Sequence, residues 1–130
     1  PVEGIISSRY GKKRYINESP RSPHLALDIA APKGTEIIAP ENGKVILIGD
    51  FFYSGNYLIL DHGHGLLSSY SHLSKIDVSV NQLIEQGKKL GEIGATGRVT
   101  GPHLHWSVYL NNTRINPELI IKENFLESLL

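Results

Sequence analysis

The chain has 130 residues, 40% of them hydrophobic, which is enough for one domain with its own core and argues against disorder. Thirteen Lys and Arg residues balance 13 Asp and Glu residues, so the charge gives no reason to expect a nucleic acid or an anionic membrane as partner. No cysteine is present, which excludes disulfides, thiolate metal sites and a cysteine nucleophile. The longest apolar run, 45–48, is far too short to span a bilayer, and no transmembrane segment is predicted. Because the chain begins with Pro1, we interpret it as a processed product or an excised domain.

Scattered Gly and Pro residues separate short β-branched and aromatic runs, a pattern typical of many short strands joined by turns. Residues 1–23 are turn-rich and are expected to wrap one side of the domain. Strands are predicted, in chain order, at 25–29, 36–39, 43–49, 57–61, 66–73, 88–93 and 103–110. The strand at 43–49 is expected to be buried because its apolar run is continuous. The pattern therefore predicts a mostly β fold.

The remaining predicted elements are turns and short helices. The strands at 57–61 and 66–73 form a predicted hairpin through residues 62–65. One helical turn is predicted at 81–85, a Gly-rich loop at 95–102 and a turn at 111–112. A terminal helix is predicted at 118–129, because Pro117 stands where a helix can begin.

Six histidines are the most informative feature of the sequence. On a strand, His103 and His105 point to one face, about 7 Å apart, and can share a site. His24 and Asp28, four residues apart, also share a face. One carboxylate and two imidazoles form a set of donors that zinc accepts while keeping a position open for water. The alternatives are a solvated strand face for the first pair, and an aspartate capping a turn beside a surface histidine for the second.

Three other histidines have less specific surroundings. His72 is a candidate base that does not bind metal, although a partly buried structural histidine is the common alternative. His62 and His64 flank Gly63 in the predicted hairpin turn, and we assign them structural roles. His62 is expected to hydrogen-bond within the turn and His64 to be exposed. Trp106 faces away from His103 and His105 by strand alternation and is expected in the core.

Four segments, in order, carry a resemblance to a known family. They are Ser8-Arg9-Tyr10-Gly11-Lys12-Lys13, His24-Leu25-Ala26-Leu27-Asp28, Tyr70-Ser71-His72-Leu73, and Thr96-Gly97-Arg98-Val99-Thr100-Gly101-Pro102-His103-Leu104-His105. The chain resembles the lysostaphin/LytM-type zinc endopeptidases of bacterial cell walls from Ser8 to about Ile120. The last segment is the longest and most specific match.

The resemblance implies one zinc ion bound by His24, Asp28 and His105, with His72 and His103 catalytic but not ligands. It implies an antiparallel β-sheet whose groove holds the zinc. We expect one domain over 1–130, divided into an N-terminal segment (1–23), a catalytic core (24–116) and a C-terminal tail or helix (117–130). Ala26 stands where the family usually has Gly, so its backbone must be in a region open to alanine.

Two further departures from the family pattern, Lys13 for a common Arg and Trp106-Ser107 after the last histidine, leave the predicted ligands intact.

The implied function is hydrolysis of peptide crosslinks in peptidoglycan by a metal-activated water, at a periplasmic or cell-envelope location. A D-alanyl–diaminopimelate bond is favoured over a glycyl-glycine bridge. We favour His103 as the base and His72 as the group that stabilises developing charge, with the reversed assignment nearly as well supported. Substrate contacts are expected, among loop residues and the His72 face, from Asn17, Tyr53, Tyr70 and Arg98.

Two other functions are compatible with the fold. A non-catalytic activator or binding module for other wall hydrolases would be expected to lack one or more of the five site residues, and all five are present here. A metal-free carbohydrate-binding β-domain would show aromatic platforms, whereas only 8% of residues are aromatic.

Overall fold

The computed structural model describes residues 5–8, 14–16, 19–21, 26–97, 101–111 and 113–117. These residues form twelve short strands: β1 (Ile5–Ser8), β2 (Arg14–Ile16), β3 (Ser19–Arg21), β4 (Leu27–Ala30), β5 (Glu36–Ile38), β6 (Gly43–Phe51), β7 (Gly55–Gly63), β8 (Leu66–Ile76), β9 (Leu83–Ile84), β10 (Lys89–Ile93), β11 (His103–Leu110) and β12 (Thr113–Ile115). Within the described ranges there is no helix, so none that could cross a membrane. The mostly β prediction is confirmed, and the proposed helix at 118–129 lies outside the described residues.

One antiparallel sheet contains ten of these strands. Its main path runs β1-β4-β11-β8-β7-β6-β9, while β10 joins β8 to β5, and β12 pairs with β11. β2 and β3 form a separate two-stranded pair. The eleven-residue β8 connects the two parts, because its first half pairs with β7 and β11 and its last residues pair with β10.

The hydrophobic core lies on one face of the main sheet. Alternate residues of β7, β8 and β11 point to this face and are completely buried, among them Leu58, Tyr70, Leu104 and Trp106. β5 and β10 contribute Ile37, Leu90 and Ile93 to the same cluster. The residues between them along β11, including His103 and His105, must point to the opposite face. The core prediction for Trp106 is therefore confirmed.

Two local predictions are wrong. The strand at 43–49 exists, but it is not a buried one: Val45 is inaccessible, whereas Ile46 and Leu47 are 41% and 36% exposed. The register of β6 against β7 shifts between Val45 and Leu47, which interrupts simple alternation. Residues 81–85 do not form a helical turn. Asn81 adopts a left-handed conformation with φ of 73°, and β9 follows and pairs with β6.

The predicted hairpin between β7 and β8 is confirmed. His64 and Gly65 have φ values of 54° and 79°, the two positive values of a tight two-residue turn whose twist matches that of the strands. His64 is exposed there, as expected. Ala26, in place of the family's Gly, is completely buried and does not have a positive φ, so alanine is compatible with its backbone.

Candidate metal centre

Strand register brings Asp28 and His105 face to face. β4 and β11 pair so that Asp28 lies opposite His105 and Ala30 lies opposite His103. Since directly opposed residues of an antiparallel pair point to the same side, both histidines and the carboxylate share the face opposite the core. All three residues are partly buried.

The carboxylate contacts one of these histidines directly. Asp28 Oδ1 lies 2.8 Å from His105 Nδ1, a hydrogen bond in which the ring nitrogen donates. The same oxygen lies 4.0 Å from His103 Nε2, beyond hydrogen-bond distance. Asp28 and His105 each have additional interactions within the structure. One carboxylate oxygen and one imidazole nitrogen, both possible metal ligands, are therefore in direct contact.

A β-bulge brings His72 to the same face. Between paired positions, β7 advances two residues, from Asn56 to Leu58, while β8 advances three, from Leu73 back to Tyr70. His72 accommodates the extra residue in the left-handed region, with φ of 69°. Such a conformation is uncommon for a residue with a side chain and persists only where its surroundings determine it. The bulge allows Tyr70 and Leu73 both to enter the core while His72 turns toward the histidine cluster.

The orientation and tautomer of the His72 ring follow from one hydrogen bond. His72 Nδ1 lies 2.7 Å from the carbonyl oxygen of Thr96, and a carbonyl only accepts, so Nδ1 carries the hydrogen. Nε2 of the neutral ring is then an acceptor. The ring centroid lies 5.0 Å from that of His103 and 6.0 Å from that of His105. Burial lowers the pKa of His72 below its usual value, which favours the neutral ring.

His103 is held in the same way. Its Nδ1 donates to the carbonyl oxygen of Gly101 at 2.9 Å, which leaves Nε2 of the neutral ring as the acceptor. Thr96 and Gly101 both belong to the connection between β10 and β11. One loop therefore supplies the two backbone carbonyls that orient two histidines on neighbouring strands.

The donor atoms of Asp28 and His105 suit a divalent metal. Two ligand atoms of a tetrahedral zinc, each bonded at about 2.05 Å, stand about 3.3 Å apart. For both atoms to bind a metal, the 2.8 Å separation must open by about half an ångström, and the His105 ring must carry its hydrogen on Nε2 so that Nδ1 is free to bind. Among the residues described, three His, Cys, Asp or Glu side chains are not grouped as a metal site requires, and the third predicted ligand, His24, lies outside those residues.

The four predicted substrate contacts have different outcomes. Tyr53 is 64% exposed, beside Phe52, at the turn between β6 and β7. Tyr70 is completely buried on the core face, which contradicts the expectation that it contacts substrate. The bulge at His72 explains the error, because it places two residues that are separated by one position on opposite faces. Asn17 and Arg98 lie outside the described residues and remain predictions.

His62 has the structural role predicted for it, but with different partners. Its Nδ1 donates to the carbonyl of Asn42 at 2.8 Å, outside the turn, and its Nε2 accepts from Ser68 Oγ at 2.6 Å. Ser68 Oγ must then accept from Tyr70 Oη, also at 2.6 Å. The hydrogen bonds run in one direction, from Tyr70 to Asn42. Burial lowers the pKa of His62 and raises that of Tyr70.

Sequence reasoning missed the residues that orient the catalytic candidates. Thr96 and Gly101 act here through their backbone carbonyls, and because every residue has one, the residue type does not indicate this role. Asn56 and Ser54 also contact this region, through the Thr96 hydroxyl and the His72 amide. The only available signal was the position of Thr96 at the start of the long motif that ends at His105.

Similarity to known proteins assigns the chain to a family. Residues 22–117 match peptidase family M23. The chain belongs to peptidase family M23. The resemblance to lysostaphin/LytM-type peptidases is thereby confirmed, and the antiparallel sheet described above is that of an M23 domain.

This M23 domain is similar to a named enzyme and to two proteins of known structure. It is 38% identical over 112 residues to peptidoglycan DD-endopeptidase ShyA of Vibrio cholerae, covering 85% of this chain and 26% of ShyA. A zinc-containing peptidase from Vibrio cholerae has a TM-score of 0.84 at 35% identity, covering 94% of this chain and 38% of that one. The catalytic domain of lysostaphin from Staphylococcus simulans has a TM-score of 0.78 at 31% identity, covering 90% and 91%. The chain thus spans about a quarter of the length of its curated relative ShyA.

Proposed function

We propose that this M23 domain is a zinc-dependent endopeptidase that hydrolyses peptide crosslinks of peptidoglycan in the periplasm or cell envelope. The observation that carries the proposal is the convergence of Asp28 Oδ1 and His105 Nδ1, 2.8 Å apart, beside two further histidines. The relation to ShyA, a peptidoglycan DD-endopeptidase, supports the substrate class. The D-alanyl–diaminopimelate bond is the crosslink we propose, and peptide stems of peptidoglycan are the proposed partner.

His24, Asp28 and His105 are the proposed zinc ligands. The relation to a zinc-containing peptidase supports zinc as the metal. A zinc ion in such a site supplies a Lewis acid and lowers the pKa of a bound water toward about 7. The carboxylate of Asp28 supplies negative charge, which two neutral imidazoles alone would lack.

His72 and His103 are the proposed groups that handle protons. Each donates its Nδ1 hydrogen to a backbone carbonyl, so each ring can accept or release a proton only at Nε2. Because burial favours the neutral form of His72, we now favour His72 as the base, the reverse of the assignment preferred from sequence. His103, once protonated at Nε2, can donate a hydrogen bond to the oxygen that gains negative charge.

Tyr53 is the proposed substrate contact that the described residues support. Its exposed ring meets that of Phe52 edge to face, with centroids 4.9 Å apart. The next residue, Ser54, accepts the backbone hydrogen bond of His72 at 2.7 Å. The two aromatic rings therefore stand at the end of the hairpin that also contacts the histidine cluster.

Digestion of purified, crosslinked peptidoglycan tests the proposed function. Zinc-loaded wild type is expected to release peptides cut at the D-alanyl–diaminopimelate bond, identified by mass, and His103→Ala is expected to lose most of this activity. His64→Ala is the matched control, because His64 is an exposed histidine in a remote turn and its loss should leave the rate unchanged. If zinc-loaded wild type releases no crosslink peptide, or if His103→Ala matches it, the proposal is wrong.

A further inference from the structure

The loop between β10 and β11 is fastened to the rest of the sheet by the side chain of Thr96. Thr96 Oγ1 donates to the carbonyl of Leu73 at 2.8 Å and accepts from the backbone N–H of Asn56 at 3.0 Å. The Asn56 side-chain amide donates to the same Leu73 carbonyl at 2.9 Å. We refer to Asn56, Leu73 and Thr96 as the clasp. One hydroxyl therefore joins the loop to β7 and β8 at once.

The clasp lies directly beside His72. Leu73 follows His72 in the chain, and the carbonyl of Thr96 accepts the His72 Nδ1 hydrogen at 2.7 Å. The Thr96 hydroxyl thus fixes the residue after His72, and the Thr96 carbonyl fixes the ring. Because His72 has the left-handed backbone of a bulge, its ring direction depends on contacts of this kind more than on the regular alternation of a strand.

Two glycines allow the loop to approach this closely. Gly55 and Gly97 both have positive φ, and a Cβ on Gly55 would overlap the backbone of Thr96. A Cβ on Gly97 would overlap the backbone N of Gly55 and would lie 2.6 Å from the carbonyl oxygen of Tyr53. Backbone therefore approaches backbone on both sides, close enough for the hydroxyl and the carbonyl of Thr96 to reach β7, β8 and the His72 ring.

We infer that Thr96 is a positioning residue that, through the clasp, holds His72 in the tautomer whose Nε2 is free to take up a proton. The inference rests on the proposed catalytic role of His72. Thr96 touches neither substrate nor metal in this scheme. It acts by keeping one carbonyl where the His72 Nδ1 hydrogen needs an acceptor. When the hydroxyl is lost, the loop loosens, and the hydrogen can move to Nε2, which removes the acceptor from the reacting side.

Thr96→Val and Thr96→Ser separate the hydroxyl from the rest of the side chain. Valine keeps the branched shape and loses both hydroxyl hydrogen bonds, whereas serine keeps the hydroxyl. Thr35→Val is the matched control, since the Thr35 hydroxyl also donates to a carbonyl, that of Pro32, but bonds within its own turn and not to the clasp. Two readouts are needed on the zinc-loaded chain: the nitrogen NMR signals of the His72 ring, which report its tautomer, and kcat and KM on a crosslinked peptide.

Wild type, Thr96→Ser and Thr35→Val are expected to show a single His72 tautomer with the hydrogen on Nδ1. Thr96→Val is expected to show a mixture of both tautomers and a kcat lower by roughly 10- to 100-fold, as for a displaced catalytic group, with little change in KM. Thermal unfolding checks that it folds. If it does not, Asn56→Ala, which removes only the amide bond to Leu73, should give the same changes at smaller size.

A single Nδ1 tautomer and unchanged kcat in a folded Thr96→Val, or in Asn56→Ala if the former does not fold, would overturn the inference. A Thr96→Ser variant as impaired as Thr96→Val would overturn it too, because the hydroxyl would then not be the responsible group. If wild type cleaves no peptide, the proposed function fails, while the tautomer comparison still decides whether the clasp sets the His72 ring.

Discussion

His103 and His105 are chemically identical side chains two residues apart on β11, and we expect their removal to affect zinc very differently. Asp28 Oδ1 is 2.8 Å from His105 Nδ1 and 4.0 Å from His103 Nε2, and the roughly 3.3 Å spacing of two zinc ligands lies between these distances, so the proposed ligand role of His105 needs its own test. Four-ligand zinc sites contribute about 10–16 kcal/mol, or about 2.5–4 kcal/mol per ligand. At about 1.4 kcal/mol per factor of ten, His105→Ala should weaken zinc binding roughly 10²- to 10³-fold.

His103→Ala should weaken zinc binding less than about tenfold, the lower limit for losing a hydrogen-bonded partner of a ligand, because His103 Nε2 is 4.0 Å from Asp28 Oδ1 and beyond hydrogen-bond distance. Competition with a coloured chelator measures both affinities, and crosslink cleavage measured at saturating zinc separates metal loss from catalytic loss. His103→Ala should remain inactive when fully loaded, whereas excess zinc should restore part of the loading of His105→Ala. Equal loss of zinc affinity in the two variants would refute the division between ligand and catalytic residue.

Three further outcomes are expected, each from one contact. Gly55→Ala should lower the free energy of unfolding by more than about 2 kcal/mol and also lower activity. Gly63→Ala, also at positive φ but with open space where its Cβ would lie, should lower it by about 1–2 kcal/mol and keep activity. Equal losses of stability in urea unfolding would contradict this. Burial lowers the pKa of His62, so near the usual histidine pKa of about 6.5 the unfolded chain binds more protons than the folded one. The free energy of unfolding should therefore fall as the pH falls through that range. His62→Gln should flatten this dependence of stability on pH, and an unchanged dependence would contradict the prediction. Tyr70→Phe should lower the free energy of unfolding by about 1–2 kcal/mol, because the buried Ser68 hydroxyl, 2.6 Å away, loses its hydrogen-bond donor. A change near zero in chemical denaturation would show that this hydrogen bond adds no net stability.

The sequence predicts strands and turns that are determined by neighbouring residues, and it misses those that depend on pairing with distant parts of the chain. The β7–β8 hairpin is confirmed because its turn residues themselves adopt the required positive φ. The β9 strand was missed because Leu83 and Ile84 are extended only through pairing with Lys44 and Gly43, about 40 positions earlier in the chain. The exposure of Ile46 and Leu47 was missed for a similar reason. It depends on a register shift in β6 and on its place near the edge of the sheet, next to the two-residue β9.

In the candidate site, too, local alternation was predictable and pairing between distant strands was not. Alternation along β11 correctly placed His103 and His105 opposite Trp106. The pairing of Asp28 with His105 depends on the register of β4 against β11, which spacing within one segment cannot reveal. Alternation failed at His72, because the bulge adds one residue and sends Tyr70 to the core. A non-glycine residue at positive φ is not visible in sequence, so this departure could be found only in the structure.

The two carbonyls that orient His72 and His103 have a consequence for how this domain can vary. Every residue type supplies a peptide carbonyl, so the side chain at Gly101 can change while the His103 ring stays aligned, and a Cβ there would meet no neighbour within 4 Å. At Thr96 more than the carbonyl matters, because its hydroxyl also fastens the loop and a Cβ on the next residue, Gly97, would overlap the backbone N of Gly55. Variation of this loop is therefore compatible with a new side chain at Gly101 and incompatible with one at Gly97.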